Sequence, residues 1–133
     1  MSLIATCHCG ATRIELPATP SEGTSCNCSY CARTGAVWAY YGPGEMKIIS
    51  TDDQRLYSTN PAMHQHYFCG NCGMQTWGES PDWASLYNDD GTPKSGDGTA
   101  IPTTRKQAIN LRLIDGLDWS AVTITNVDGR NSW

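Results

Sequence analysis

The chain has 133 residues and a formal net charge of -4, from 9 Lys and Arg against 13 Asp and Glu. This length predicts one domain that spans residues 1–133. The basic residues are scattered along the sequence and do not form the positive patch that binds the phosphate backbone of nucleic acids. We therefore expect no nucleic-acid partner. No apolar run approaches the ~20 residues of a transmembrane helix, and the first 16 residues do not resemble a signal peptide. We therefore expect a cytoplasmic protein with no membrane partner.

Short stretches of alternating polarity and β-prone residues predict strands along the first half of the chain. They lie at residues 2–6, 11–16, 36–41, 46–50, 54–58, 64–68 and 74–78. The turn signal at 42–44 predicts that residues 36–41 and 46–50 form a hairpin. Residues 29–34 are the only helix candidate, with Ser29 as its cap and Gly35 as its end.

The second half begins with a segment rich in Pro, Gly, Asp, Ser and Thr, residues 80–104. This composition predicts a long loop, either functional or disordered. Strands follow at 108–114, where Asp115 and Gly116 end the pattern, and at 122–127. The predicted fold class is therefore mainly β, with very little helix.

Seven cysteines are the most informative feature of the sequence. They are Cys7, Cys9, Cys26, Cys28, Cys31, Cys69 and Cys72. An odd number cannot pair completely in disulfides within one chain, and a cytoplasmic protein sits in a reducing compartment. Metal ligation is the better interpretation.

Two of the cysteine groups predict one closed metal site. Cys69 and Cys72, followed by Gly73, form a knuckle whose sulfur atoms converge on a tetrahedral ion. The second half of this site is expected from Cys7 and Cys9, since they are the other pair between two predicted strands. Four sulfur ligands leave no position for a substrate, so we expect this zinc ion to be structural.

The remaining cysteines, Cys26, Cys28 and Cys31, predict an open metal site with a vacant fourth corner, which is typical of catalytic zinc. A thiol that occupies this corner loses its proton and becomes a nucleophile at neutral pH. Two alternatives stay open. One is a second structural zinc completed by His8, His64 or His66, and the other is a redox-reactive cluster without metal. The five tryptophans are interpreted as packing residues.

Four segments make the sequence resemble the family of glutathione-dependent formaldehyde-activating enzymes, which includes the centromere protein V type. They are residues 7–13 (CHCGATR), 26–33 (CNCSYCAR), 66–73 (HYFCGNCG) and 109–116 (INLRLIDG). The resemblance implies a β-tent fold of short antiparallel strands with two Zn²⁺ ions per chain. It assigns a structural ion to the four-cysteine group and a catalytic ion to the three-cysteine group, in agreement with the spacing.

The resemblance also implies an activity, the condensation of formaldehyde with glutathione to S-(hydroxymethyl)glutathione by a carbon–sulfur lyase. The expected partners are a thiol such as glutathione and a small aldehyde. Alternatives are a related enzyme for another thiol adduct and a non-catalytic, zinc-stabilised binding module. The candidate basic groups for the glutathione carboxylates are Arg33, Lys94, Arg105 and Lys106. Tyr30 is a candidate hydrogen-bond donor to an oxyanion or a packing residue.

Overall fold

Ten short strands and two short helices make up the structure, a computed structural model that describes residues 3–132. The strands are β1 (Leu3–Thr6), β2 (Thr12–Leu16), β3 (Glu22–Cys26), β4 (Trp38–Tyr41), β5 (Lys47–Thr51), β6 (Gln54–Tyr57), β7 (Gln65–Cys69), β8 (Gln75–Pro81), β9 (Arg105–Asn110) and β10 (Thr123–Val127). The helices are α1 (Ser29–Thr34) and α2 (Gly129–Ser132). Single 3-10 turns occur at Trp83–Ser85, Leu111–Leu113 and Trp119–Ala121. The prediction of a mainly β fold with very little helix is confirmed.

The strands form two sheets. The smaller has the order β1-β2-β5, and the larger has the order β10-β3-β4-β9-β8-β7-β6. Neighbouring strands are antiparallel except β3 and β10, which run parallel. No helix in the described part of the chain is long and apolar enough to cross a membrane.

The predicted hairpin of residues 36–41 and 46–50 is wrong. The two segments are strands, but β4 lies between β3 and β9 in the larger sheet, whereas β5 pairs with β2 in the smaller one. The turn between them, closed by a bond from the Glu45 N–H to the Gly42 C=O, carries the chain from one sheet to the other. Burial explains the separation, because Ala39 and Ile48 both contribute to the core from different sheets.

The other predicted strands are observed, with changes at their ends. Strand β8 extends to Pro81, and the strand predicted at 108–114 starts at Arg105 and gives way to a 3-10 turn after Asn110. Strand β3 was not predicted from the sequence. The predicted loop at 80–104 is ordered by local contacts, among them a bridge between Tyr87 and Pro93.

A single apolar cluster lies between the two sheets. In the larger sheet, Ala39, Ile109 and Trp77 form one row across β4, β9 and β8, and all three belong to this cluster. Because side chains alternate along a strand, their neighbours Trp38 and Tyr40 project from the opposite face. We call this opposite face the outer face of the larger sheet; it bears one of the two cysteine groups.

Candidate metal centres

Four cysteines from opposite halves of the chain meet where the two sheets join. Cys7 and Cys9 lie in the turn between β1 and β2, Cys69 is the last residue of β7, and Cys72 lies in the turn between β7 and β8. Their four sulfur atoms all lie within 4.8 Å of one another. Each turn is closed by a main-chain bond, from Gly10 to Cys7 and from Gly73 to Cys69, and both glycines have positive φ. These are the predicted knuckles, and glycine is needed at φ values near 80°.

The spacing of the four sulfur atoms matches a tetrahedral metal site. Zn–S bonds of about 2.3 Å place the sulfur atoms of a regular tetrahedron about 3.8 Å apart. Cys9 Sγ lies 3.6 Å from both Cys7 Sγ and Cys69 Sγ, far beyond the about 2.05 Å of a disulfide. Cys7 and Cys69 are buried, Cys72 is half-buried and Cys9 is exposed, so this group spans from the interior to the surface.

The second group consists of Cys26 at the end of β3, Cys28 just before α1, and Cys31 within α1. Their sulfur atoms also lie within 4.8 Å of one another, and all three residues are half-buried. Cys28 is the N-cap of α1, and its Sγ accepts the N–H of Cys31 at 3.3 Å. The sequence predicted Ser29 as the N-cap, which is one residue after the observed N-cap. Gly35 ends the helix in the left-handed conformation, as predicted.

Main-chain and side-chain donors surround the thiols of both groups. Burial raises the pKa of the Cys7 thiol, but hydrogen bonds from the Thr12 N–H and from Cys9 outweigh it and bring the pKa to about 6. In the second group, burial raises the pKa of Cys31 to about 12, although the nearby Trp38 side chain acts to lower this pKa.

The donor sets fit a soft divalent cation. Neighbouring thiols oppose one another's ionisation, and the charge of Cys28 contributes to the raised pKa of Cys31. A cation held between the sulfur atoms would remove this repulsion, and thiolate sulfur selects Zn²⁺ or a similar soft metal. Each of the two groups could thus hold one metal ion.

Polar side chains fix the three-cysteine group to the outer face. Tyr30 donates its hydroxyl to Gln75 Oε1 at 2.6 Å, and Asn110 Nδ2 donates to the Gln75 C=O at 2.9 Å. At the other end of α1, Arg112 Nε donates to the Gly35 C=O. The Tyr30 hydroxyl is thus used to dock α1, as a packing residue would be. Asn110 was missed from the sequence, although a polar side chain inside an apolar strand pattern signals a specific partner.

The histidines do not complete the three-cysteine group. His66 stacks on the Tyr30 ring at 4.1 Å, and its neighbour His64 lies on the same side of β7, with Nδ1 3.1 Å from the Ser58 hydroxyl. His8 is exposed in the other turn. Among residues 3–132, no histidine or carboxylate atom lies within the ligand-atom cluster of Cys26, Cys28 and Cys31. The structure thus lends no support to a fourth ligand from histidine.

Three of the four basic candidates are engaged elsewhere. Arg33 donates to the Ser29 C=O, and Lys94 to the Ala84 C=O within the loop. Arg105 donates to the Met63 C=O and to Gln65 Oε1, and it lies 3.9 Å from Glu79. Lys106 forms neither a side-chain hydrogen bond nor an ion pair within the described ranges. Within the described part of the chain, the hydrogen bonds of residues 82–103, which include Lys94, join these residues to one another and to Thr104.

A family model described as glutathione-dependent formaldehyde-activating enzyme, GFA, matches residues 2–88, which is more than half of the chain. The chain belongs to this family. The matched GFA segment contains all seven cysteines, and the geometry above brings them together as four and three.

Two further comparisons agree with membership of the GFA family. A protein of Halomonas elongata, provisionally named a glutathione-dependent formaldehyde-activating enzyme, is 24% identical over 131 residues, covering 90% of this chain and 80% of the relative. A crystal structure of a Rhodobacter sphaeroides protein superposes with a TM-score of 0.63 at 22% identity, covering 92% of this chain and 100% of that chain. The second comparison shows a shared fold.

Proposed function

We propose that this GFA-family chain is a zinc-dependent carbon–sulfur lyase that adds a small aldehyde to a thiol, by analogy formaldehyde to glutathione, and that splits the adduct in reverse. The observation that carries the proposal is the division of the seven cysteines into a group of four and a group of three. The group of four supplies every corner of a tetrahedron, and the group of three leaves one corner for the substrate sulfur.

In this proposal Cys7, Cys9, Cys69 and Cys72 hold a structural Zn²⁺, and Cys26, Cys28 and Cys31 hold a catalytic one. Support comes from Cys7 and Cys69, which are buried although Cys9 of the same group is exposed, whereas all three cysteines of the second group are half-exposed. A structural ion needs no access to solvent, but a substrate thiol must reach the catalytic one. We propose two Zn²⁺ ions per chain.

A zinc ion bound by the three cysteines supplies a Lewis acid that lowers the pKa of an incoming thiol. In the addition, the thiol sulfur forms a bond to the aldehyde carbon, the carbonyl π bond breaks, and the proton lost from sulfur is balanced by one gained on oxygen. Main-chain N–H groups donate to Cys26 and Cys28. These bonds draw charge from the ligand sulfur atoms and fix their orientation.

Exchange NMR of formaldehyde and glutathione, with and without the zinc-loaded protein, tests the proposal. We expect the protein to increase the rate of exchange into the hydroxymethyl adduct by at least about a hundredfold at micromolar enzyme, with no change in the equilibrium ratio. Metal analysis of the same sample should give two zinc ions per chain.

The control is the protein freed of metal by a chelator and then reloaded with zinc, which should lose and regain the acceleration. An unchanged exchange rate in a sample with two zinc ions would contradict the proposed reaction. That result would favour a binding module or another thiol adduct as the substrate.

A further inference from the structure

The last strand and the last helix of the chain hold the short link between two of the clustered cysteines. Strand β10 runs parallel to β3, and their pairing continues to the pair of Val127 with Cys26. The next residue, Asn27, separates Cys26 from Cys28. We call residues 127–131, which lead from the end of β10 into α2, the C-terminal clasp.

All four polar groups of Asn27 bond to the C-terminal clasp. Its main-chain N–H donates to the Val127 C=O at 3.2 Å, and its C=O accepts a bond from Arg130 Nε at 3.0 Å. In the side chain, Nδ2 donates to Asp128 Oδ1 at 2.9 Å, and Oδ1 accepts the Arg130 N–H at 3.0 Å. Asp128 in turn accepts bonds from the N–H and the side chain of Asn131. Asn27 is exposed, yet these bonds fix both its main chain and its side chain.

The bond from Arg130 bears directly on the neighbouring sulfur atoms. The Cys28 N–H donates to Cys26 Sγ at 3.4 Å. This N–H belongs to the same peptide unit as the Asn27 C=O that accepts from Arg130. Because a peptide unit is planar, its C=O and N–H turn together. The bond to Arg130 therefore fixes the direction of the N–H that orients Cys26 Sγ.

The two cysteine groups differ in where this support comes from. Both turns of the four-cysteine group are closed by local main-chain bonds, from Gly10 to Cys7 and from Gly73 to Cys69. The three-cysteine group is held through Asn27 by a segment that lies 101 residues further along the chain, at Asp128. Loss of the clasp should therefore disturb the three-cysteine group alone.

We propose that the C-terminal clasp positions Cys26 and Cys28 for a metal ion through Asn27, which is a positioning residue and not a ligand. This inference rests on the proposed function, because it takes the three-cysteine group as a metal site. Partners that orient metal ligands contribute about 10 to 100-fold to metal affinity. Breaking the clasp should thus weaken metal binding by the three-cysteine group and leave the four-cysteine group unchanged.

Titration of the protein loaded with Cd²⁺ against EDTA, followed by cadmium NMR, measures the two groups separately. Asn27 and Asp128 are both exposed, so their replacement by Ala should preserve the fold. We expect Asn27→Ala and Asp128→Ala each to lower the cadmium affinity of the three-cysteine group at least about tenfold. The double variant should lose less than about threefold more, because both changes break one network. The affinity of the four-cysteine group should stay within about twofold of wild type.

Asn126→Ala is the matched control for Asn27→Ala. Asn126 is an exposed asparagine next to the clasp, and among residues 3–132 its side chain forms no hydrogen bond. This variant should change neither affinity by more than about twofold. A second control, Asp128→Asn, removes the charge but keeps an oxygen acceptor for Asn27, so it should stay within about threefold of wild type.

Two results would overturn the inference. One is wild-type cadmium affinity in Asn27→Ala. The other is an equal loss in Asp128→Asn and Asp128→Ala, which would assign the effect to charge alone.

Exchange NMR of formaldehyde and glutathione separates this inference from the proposed reaction. Weakened cadmium binding in Asn27→Ala, with no accelerated exchange by the zinc-loaded wild type, would reject the reaction and keep the clasp. Accelerated exchange by the wild type, with unchanged cadmium binding in Asn27→Ala, would reject the clasp alone. A wild-type protein that binds a single cadmium ion would contradict both.

Discussion

Replacing Cys69 by Ser should leave the chain unfolded at room temperature. Cys69 is fully buried at the end of β7, and its sulfur atom lies 3.6 Å from that of Cys9, which precedes it by 60 residues. A structural zinc site contributes about 10 to 16 kcal/mol in zinc-finger peptides, against a net domain stability of about 5 to 15 kcal/mol. Losing one of four sulfur ligands, and burying a hydroxyl in its place, removes most of this free energy.

Near-ultraviolet circular dichroism and metal analysis measure the outcome for Cys69→Ser. The variant should lack the fixed aromatic signal of the wild-type protein and should not retain two zinc ions. A folded Cys69→Ser protein with two zinc ions and an unchanged urea midpoint would contradict a structural role for the four-cysteine group.

Replacing Cys28 by Ser should abolish turnover and leave the fold intact. Cys28 is half-buried and caps α1 by accepting the Cys31 N–H. Serine is among the best N-cap residues, so the variant keeps this bond and the helix. Its hydroxyl is a poor zinc ligand, and changing even a residue that only supports a ligand costs about 10 to 100-fold. We therefore expect activity to fall more than about a hundredfold.

The Cys28→Ser protein is the matched control for Cys69→Ser, because each variant exchanges one sulfur for oxygen. It should retain the near-ultraviolet signal and at least one zinc ion per chain. Wild-type exchange rates in the Cys28→Ser protein would remove Cys28 from the proposed catalytic site. Unfolding of this variant would show instead that the three-cysteine group also stabilises the fold.

The cysteine groups were predictable because the spacing of cysteines within short segments of the sequence largely determines which sulfur atoms converge. Cys69 and Cys72 with Gly73 form a tight turn whatever the rest of the chain does, and Cys26, Cys28 and Cys31 lie within six residues of sequence. Spacing alone therefore predicted which residues would meet. Even the partnership of the two distant knuckles followed, since four sulfur atoms complete a tetrahedron.

The arrangement of strands was less predictable because it depends on distant partners. Strand β3, with the sequence EGTSC, shows no alternation of polar and apolar residues, and it is held by β10, about a hundred residues later. The apparent hairpin of β4 and β5 failed for the same reason. The turn predicted between these strands is observed, but the two strands are buried in different sheets and do not pair with each other.

Trp38 shows why the surroundings of a site escape sequence reasoning. A tryptophan in a β-prone segment predicts packing, and Trp38 is indeed only 6% exposed. Its influence on the pKa of the Cys31 thiol depends on how α1 docks on the sheet through Tyr30, Gln75 and Asn110. No local pattern encodes that docking.

Cadmium NMR of the protein loaded with two Cd²⁺ ions in place of zinc tests the division of the cysteines most directly. We predict two resonances, one typical of four sulfur ligands and one of three sulfur ligands with a lighter donor. Glutathione should move the second resonance to the position of a four-sulfur site and leave the first unchanged. A pair of four-sulfur resonances before glutathione is added, or no response to glutathione in either, would contradict an open site that binds the substrate thiol.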